Sequence, residues 1–341
     1  NAVDWVRSVR SEGHEWVAEP EPSVPGLRVR ANGEHGLWSG ACKKVLEVTE
    51  DLTVLYRVSA TARDIANKSG FTKWTDPLIT PPDVGVTGKV YPAQLEAFLQ
   101  VNRPDGEDLV LPRRIAAERA TWHPRPALEF FVDFETVNSL NDKFTKFPFQ
   151  NAQSLIFMIG CGHIEDGEWQ FSCFVTDRLT ETHEAQIIDD WFDHMVAVQA
   201  RLDPGSTANI FHWSDAEKNF LQKGDTSAFE RHDGHNWPIP NWFDFWKLVM
   251  KPEPVVVRGA HGFGLKPITK ALNNLGLINI EWPDGTTDGL GAMTGAWWCD
   301  EEAERDGKVL KDYELMGDIE AYNEIDCKAM FEIINYLRLK H

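Results

Sequence analysis

The most regular pattern of apolar positions lies in the second half of the chain. Residues 128–137 read LEFFVDFETV, and such a run of strand-forming residues predicts a largely buried strand. SLIFMIGCGHI (154–164) and EWQFSCFVT (168–176) flank the turn residues Glu165-Asp166-Gly167. This arrangement predicts a β-hairpin that follows the first strand.

The pattern then changes to one of alternating helices and strands. Residues 182–202 have helical periodicity, and ANIFHW (208–213) reads as a short apolar strand that leads into the helix opened by SDAEKNFL. The stretch GDIEAYNEIDCKAMFEIINYLRLK (317–340) reads as a long amphipathic helix. A strand, a hairpin and then alternating helices and strands predict an α/β fold.

The first half of the chain has a weaker pattern. Residues 1–50 include the proline-rich stretch EPEPSVPG and are expected to be a connector or the end of a truncated upstream domain. For 51–100 we expect a small helical unit, helix-hairpin-helix-like, with two short helices around Ser69-Gly70; a small helical packing module is the alternative. Residues 101–126 are expected to form a linker to an α/β domain at 127–341. The start at Asn1 indicates a fragment of a longer polypeptide.

Composition narrows the class of protein. The chain has 341 residues, of which 42% are hydrophobic, and no apolar run long enough to span a bilayer. Its five cysteines form no CxxC pair, which argues against a zinc site or a disulfide framework and favours a reducing, cytoplasmic location. The net charge of −19 argues against nonspecific binding to nucleic acid. A local basic groove, or an acidic groove neutralised by metal ions, remains compatible with this charge.

The strand at 128–137 carries two acids. Asp133 and Glu135 are two positions apart, so their side chains project from the same face. Two carboxylates held close in an apolar setting repel each other and resist desolvation unless a cation lies between them. Mg²⁺ and Mn²⁺ prefer such hard oxygen ligands. The alternative is a strand end at which both acids reach solvent.

Two further stretches carry candidate chemistry. Tyr322 and Asp326 are four residues apart on the predicted C-terminal helix and share one face; a core tyrosine beside a surface aspartate is the alternative. Asp215 and Glu217 lie where a strand passes into a helix. Asp215 is also a plausible helix cap, and Glu217 would then lie in the first turn, pointing back toward the strand end.

Together these stretches resemble a known family. DxE on a first strand, an acid after a middle strand and YxxxD on a C-terminal helix are similar to the tyrosine variant of the DEDD exonucleases, which have the RNase H-like fold. The resemblance is closest to the C-terminal domain of predicted RecB-type nucleases. The stretches that carry it are FHWSDAE, GFGLKPITKAL and AYNEIDCKAM, and it covers about residues 127–341.

The resemblance implies an RNase H-like mixed sheet flanked by helices, and an activity. It implies Asp133, Glu135 and Asp326 as metal ligands and Tyr322 as the group that orients a water. At the third position this chain departs from the usual aspartate; Glu217 falls there, with Asp215 as the second choice. Two Mg²⁺ or Mn²⁺ ions would then support 3′–5′ exonucleolytic hydrolysis of DNA or RNA. The implied partners are a single-stranded end of nucleic acid and possibly an upstream nuclease or helicase domain or subunit.

Basic and aromatic residues supply candidate substrate contacts. Lys143, Phe144 and Lys146 follow the DxE strand and could stack a base and hold a phosphate; a buried aromatic cluster under a loop is the alternative. Arg258, Lys266 and Lys270 could line a groove or form a solvated basic face.

Two other functions compete with the exonuclease. One is a nuclease-like module with weak or no catalysis that binds nucleic acid or a partner within a larger assembly. The other is an unrelated α/β binding protein whose acids match the motifs by accident. No GxxxxGK[ST] loop, GxSxG elbow or HExxH helix is present, so the sequence offers no support for ATP hydrolysis, serine hydrolase or zinc protease chemistry.

Overall fold

The computed structural model describes residues 2–18, 22–33, 35–138, 154–223, 226–282 and 289–341. The chain divides into two compact units, Asn1–Asp105 and Gly106–His341. Residues 106–126, expected to belong to a linker, therefore form part of the second unit. Its strand Val110–Leu111 pairs with Val256–Val257, and Trp122 is fully buried.

The first unit is helical. Its α-helices are α1 (Ala2–Glu12), α2 (Ser39–Thr49), α3 (Ala60–Lys68) and α4 (Tyr91–Asn102). Helix α3 begins after Ser59, whose side chain accepts a hydrogen bond from the N–H of Ala62. Leu52, Ala66 and Leu95 are among the residues of its core.

One expectation for this unit was wrong. No α-helix follows directly after Ser69-Gly70 among the described residues; the next one begins at Tyr91. Prolines fix the backbone φ and lack the N–H that a helix needs, and Pro81 and Pro82 instead open a short 3₁₀ turn, Pro81–Val84. Helix α2 lies within the stretch expected to be a connector.

The second unit has the predicted α/β order. Its strands are β1 (Val110–Leu111), β2 (Glu129–Val137), β3 (Leu155–Glu165), β4 (Glu168–Val175), β5 (Asn209–His212), β6 (Trp242–Asp244) and β7 (Val256–Val257). Its α-helices are α5 (Arg119–Trp122), α6 (Glu181–Leu202), α7 (Ala216–Gln222), α8 (Ala228–Arg231), α9 (Leu265–Asn274), α10 (Gly289–Asp306) and α11 (Glu314–Lys340), and Trp246–Met250 forms a π-helical turn.

Five strands of the described chain form the main sheet, in the order β4-β3-β2-β5-β6. The β2–β3 and β3–β4 pairs are antiparallel, whereas β2–β5 and β5–β6 are parallel. The sheet is therefore mixed, and helices flank it, as predicted. Among the described residues no helix combines the length and the apolar character needed to cross a membrane.

Strand β2, at the centre of the sheet, has two different faces. Phe130, Val132 and Phe134 pack in one core cluster with Ile188 and Trp191 of helix α6. Because side chains alternate along a strand, the odd-numbered residues project to the other face. Helix α11 packs against β2 and β3, and Asn323 of that helix bonds to Asp133. The DxE carboxylates therefore lie on the side of the sheet that α11 covers.

Candidate metal centre

Three carboxylates from two distant parts of the chain meet in one cluster. Asp133 and Glu135 come from β2 and Asp326 comes from α11, and one oxygen of each lies within 4.8 Å of the other two. We call these three residues the acidic triad. Such a set of hard oxygen atoms suits Mg²⁺ or Mn²⁺.

Burial and mutual repulsion raise the pKa values of the triad carboxyls. The side chains of Glu135 and Asp326 are only 8% and 7% exposed. Desolvation, followed by repulsion from Asp326, raises the pKa of Asp133 well above its ordinary value. The same two causes raise the pKa of Glu135 to about 8, and desolvation raises that of Asp326 to about 6. Without a cation, the triad therefore retains protons near neutral pH.

Two neutral side chains orient the triad. The amide Nδ2 of Asn323 donates a hydrogen bond to Asp133 Oδ2 at 2.8 Å, and the indole Nε1 of Trp282 donates to Asp326 Oδ1 at 2.9 Å. Gly160, opposite Asp133 in the β2–β3 register, leaves room for this arrangement, since a Cβ there would lie 1.8 Å from Asn323 Oδ1. Hydrogen bonds of this kind fix the orientation of carboxylate ligands.

Tyr322 and Lys266 lie beside the triad. Tyr322 is buried on α11, and the Nζ atom of Lys266 lies 4.2 Å from the centre of its ring. Lys266 is in the first turn of α9, a helix that packs against α11. Its positive charge opposes the rise in the pKa of all three triad carboxyls.

At the turn between β5 and α7, the two candidates for the third motif, Glu217 and Asp215, have different surroundings. Glu217 is buried, and its Oε2 lies 3.1 Å from His212 Nδ1. Its charge contributes to raising the pKa of Asp133 and Glu135, so it is near the triad without being one of the three mutually close ligands. Asp215 occupies the N-cap position of α7, but its side chain does not cap the helix. Instead it accepts two hydrogen bonds from Lys247 Nζ, at 2.9 and 3.0 Å.

Asp244 stabilises this turn and was not identified as a site residue from the sequence. It ends β6 opposite His212 in the register, and its Oδ1 accepts hydrogen bonds from the backbone N–H groups of Ser214 and Lys247 at 3.2 and 2.9 Å. Ser214 has a φ of 104°, which is unfavourable for a residue with a side chain. Asp244 therefore stabilises the strained turn that leads to Glu217.

The residues expected to contact substrate are in different situations. Arg258 Nη2 donates to the backbone carbonyls of Gly106 and Asp108 at 2.6 and 3.0 Å, so its guanidinium has a structural role. Lys270 is exposed on α9. Lys143, Phe144 and Lys146 lie outside the described residues.

Comparisons with known proteins found no relative. No protein-family model matches the chain, and searches of curated proteins and of solved structures also found no match.

Proposed function

We propose that residues 106–341 form an RNase H-like domain that hydrolyses phosphodiester bonds of DNA or RNA from a 3′ end with the help of divalent metal ions. The observation that carries the proposal is the meeting of Asp133, Glu135 and Asp326 in one buried cluster. These acids lie on a central strand and a C-terminal helix, which are the positions that the resemblance to DEDD exonucleases requires.

The chemistry of the triad fits a metal ion. Three carboxylates in mutual proximity, with Glu135 and Asp326 buried and Asp133 half-buried, are unfavourable when ionised, because each loses hydration and repels the others. Lys266 supplies a single positive charge against three negative ones. A divalent ion bound there would lower the pKa of a water and stabilise charge on the reacting phosphate. Asp133, Glu135 and Asp326 would hold it.

The remaining residues then have distinct roles in the hydrolysis. Tyr322, four residues before Asp326 on α11, would orient the attacking water through its phenol. The water oxygen bonds to phosphorus and releases a proton to solvent, the bond from phosphorus to the departing 3′ oxygen breaks, and that oxygen takes up a proton from solvent. The products are a nucleoside 5′-monophosphate and a strand shortened by one residue. Glu217, held by His212, would be the further ligand expected for a second ion.

A nuclease-like binding module with little catalysis is the second candidate. Two observations favour it: the net charge of −19, and a third motif in which the glutamate bonds to a histidine and is not one of the mutually close ligands. Such a module would bind nucleic acid, or an upstream nuclease or helicase domain or subunit.

The two candidates give different results with labelled single-stranded DNA and RNA. The protein is incubated with Mn²⁺ or with EDTA, beside Asp133→Ala. Shortening that requires Mn²⁺ and is lost in the variant supports the exonuclease. Binding without shortening supports the module.

Variants at the third motif test the assignment of ligands. We expect Asp326→Ala to abolish hydrolysis as completely as Asp133→Ala, because each removes an oxygen of the triad. Glu217→Ala should also lose activity. Asp215→Ala should retain most of it, because Asp215 bonds to Lys247 and serves as the matched control. Loss in Asp215→Ala with retention in Glu217→Ala would reverse the assignment.

A further inference from the structure

The acidic triad has a positively charged neighbour within the chain. Lys266 Nζ lies 4.2 Å from the ring centre of Tyr322, within the range of a cation–π interaction. Its charge acts on Asp133, Glu135 and Asp326 alike. Of the residues expected to bind nucleic acid, Lys266 is the one that the described structure puts beside the triad.

This position has opposite consequences for a metal ion and for a phosphate. A fixed ammonium group repels a divalent cation, so it weakens metal binding at the triad. The same group attracts a phosphate and offers it N–H donors. The aromatic ring can hold the ammonium beside the triad when carboxylates and metal ion have neutralised each other, because the cation–π contact does not depend on the carboxylates.

We propose, on the basis of the proposed nuclease function, that Lys266 is a catalytic residue whose ammonium group binds a non-bridging oxygen of the scissile phosphate. Phosphoryl transfer spreads negative charge over these oxygens in the transition state. A cation fixed next to the metal ligands stabilises that charge without having to be brought in by the substrate.

Lys266→Met separates charge from packing, because methionine keeps a long apolar stem that packs well on an aromatic ring. Lys266→Arg keeps the charge. Lys340→Met is the matched control, since Lys340 is exposed in the last turn of α11 and is not among the residues expected to contact substrate. Melting temperatures of the full chain, measured for each variant, verify that the variants are folded.

Calorimetry with Mn²⁺ is the first measurement. Lys266→Met should bind Mn²⁺ several times more tightly than the wild type, while Lys266→Arg and Lys340→Met should keep the wild-type affinity. Unchanged or weaker binding in a folded Lys266→Met would contradict the proposed effect of the charge on the triad and overturn the proposal.

Hydrolysis at saturating Mn²⁺ is the second measurement. We expect kcat of Lys266→Met to fall by about 100-fold, as when a donor to a transition-state oxyanion is removed, with a smaller loss in Lys266→Arg and none in Lys340→Met. Full activity in Lys266→Met would leave the lysine with a packing role only.

A wild type that binds Mn²⁺ and cleaves nothing would refute the proposed nuclease function, and the phosphate contact can then be tested by binding. In that case the fluorescence anisotropy of a labelled oligonucleotide in Mn²⁺ should show weaker binding for Lys266→Met than for Lys340→Met. Equal affinities of the two variants would overturn the contact as well.

Discussion

Glu135 shows how strongly one carboxyl group depends on its neighbours. Its pKa rises to about 8 because it is buried and because Asp326 repels its charge. The folded protein therefore binds a proton at Glu135 that the unfolded chain has already released at neutral pH. A divalent ion bound at the proposed site would have to displace this proton, so metal binding and proton release would be coupled.

The pH dependence of stability tests this description. Between the ordinary pKa of 4.5 and about 8, the folded state binds more protons at Glu135 than the unfolded state. The free energy of unfolding should therefore fall as pH rises through this window when EDTA is present. In Glu135→Gln the decrease in the free energy of unfolding between pH 5 and 8 should be smaller than in the wild type, by on the order of 3 kcal/mol.

Denaturant unfolding of both proteins at pH 5, 6, 7 and 8 measures the difference. Burial lowers the pKa of His261 to about 4, which adds stability as pH rises to about 6.5, but this contribution is common to both proteins and cancels. Parallel curves would show that Glu135 ionises in the folded protein as it does in the unfolded chain.

At the scale of single residues, the sequence identified those site residues whose shared face follows from the repeat of a strand or of a helix. Asp133 and Glu135 share a face by the alternation of a strand, and Tyr322 and Asp326 by the period of a helix. Trp282 and Asp244 could not be found in this way, because Trp282 bonds to Asp326, 44 residues away, and Asp244 bonds to Ser214, 30 residues away. Asn323 had a weak signal, since it lies three residues before Asp326 on the same helix.

At the level of elements, the site depends on the close contact between β3 and α11. Gly160 of β3 leaves the space that Asn323 of α11 occupies. Asn323 in turn donates to Asp133 on the neighbouring strand. A side chain at position 160 would therefore disturb the triad without touching it.

Alanine at position 160 tests this coupling. Its Cβ would lie 1.8 Å from Asn323 Oδ1 and 3.1 Å from Phe171 Cε2, so we expect Gly160→Ala to lower the free energy of unfolding by about 1–3 kcal/mol. Mn²⁺ affinity, measured by calorimetry, should fall because Asn323 has to leave Asp133.

Gly317 of helix α11 is a control for Gly160, because a side chain there has room. A Cβ at this exposed position of α11 meets nothing within 4 Å, and alanine is favoured over glycine in a helix by about 1 kcal/mol. Gly317→Ala should therefore raise the free energy of unfolding and leave Mn²⁺ affinity unchanged. A fall in stability in both variants would mean that the packing around position 160 is not the cause.

Elements with a strong period were predictable, and those set by distant contacts were not. The strand at 129–137, the hairpin and the C-terminal helix follow from runs and periods in the sequence. The second helix expected after Ser69-Gly70 failed because prolines interrupt that stretch. Strand β1 has two residues and is defined by its pairing with Val256–Val257, for which no local pattern exists.

At the scale of the whole molecule, each unit has its own hydrophobic core. The clusters under the main sheet consist of residues of the second unit, and the cluster around Leu52 and Leu95 belongs to the first. The sequence predicted a helical unit that ends at residue 100, a linker at 101–126 and an α/β domain from residue 127, but it could not show that residues 106–126 belong to the second unit.

A chain of residues 106–341 alone tests the independence of the second unit. Because its core and the acidic triad are built from its own residues, we expect it to unfold cooperatively and to be stabilised by Mn²⁺ as the full chain is. Differential scanning calorimetry with and without the ion measures both. A truncated chain without a cooperative transition would show that the first unit is required for folding.

The hydrogen bond from Trp282 to Asp326 has a practical consequence. A metal ion bound to the Asp326 carboxylate would change the electric field at the Trp282 indole, and the fluorescence emission of an indole is sensitive to such a change. Trp282 would thus be an optical probe of metal binding at the proposed site, readable in the absence of any turnover by subtracting the spectra of Trp282→Phe.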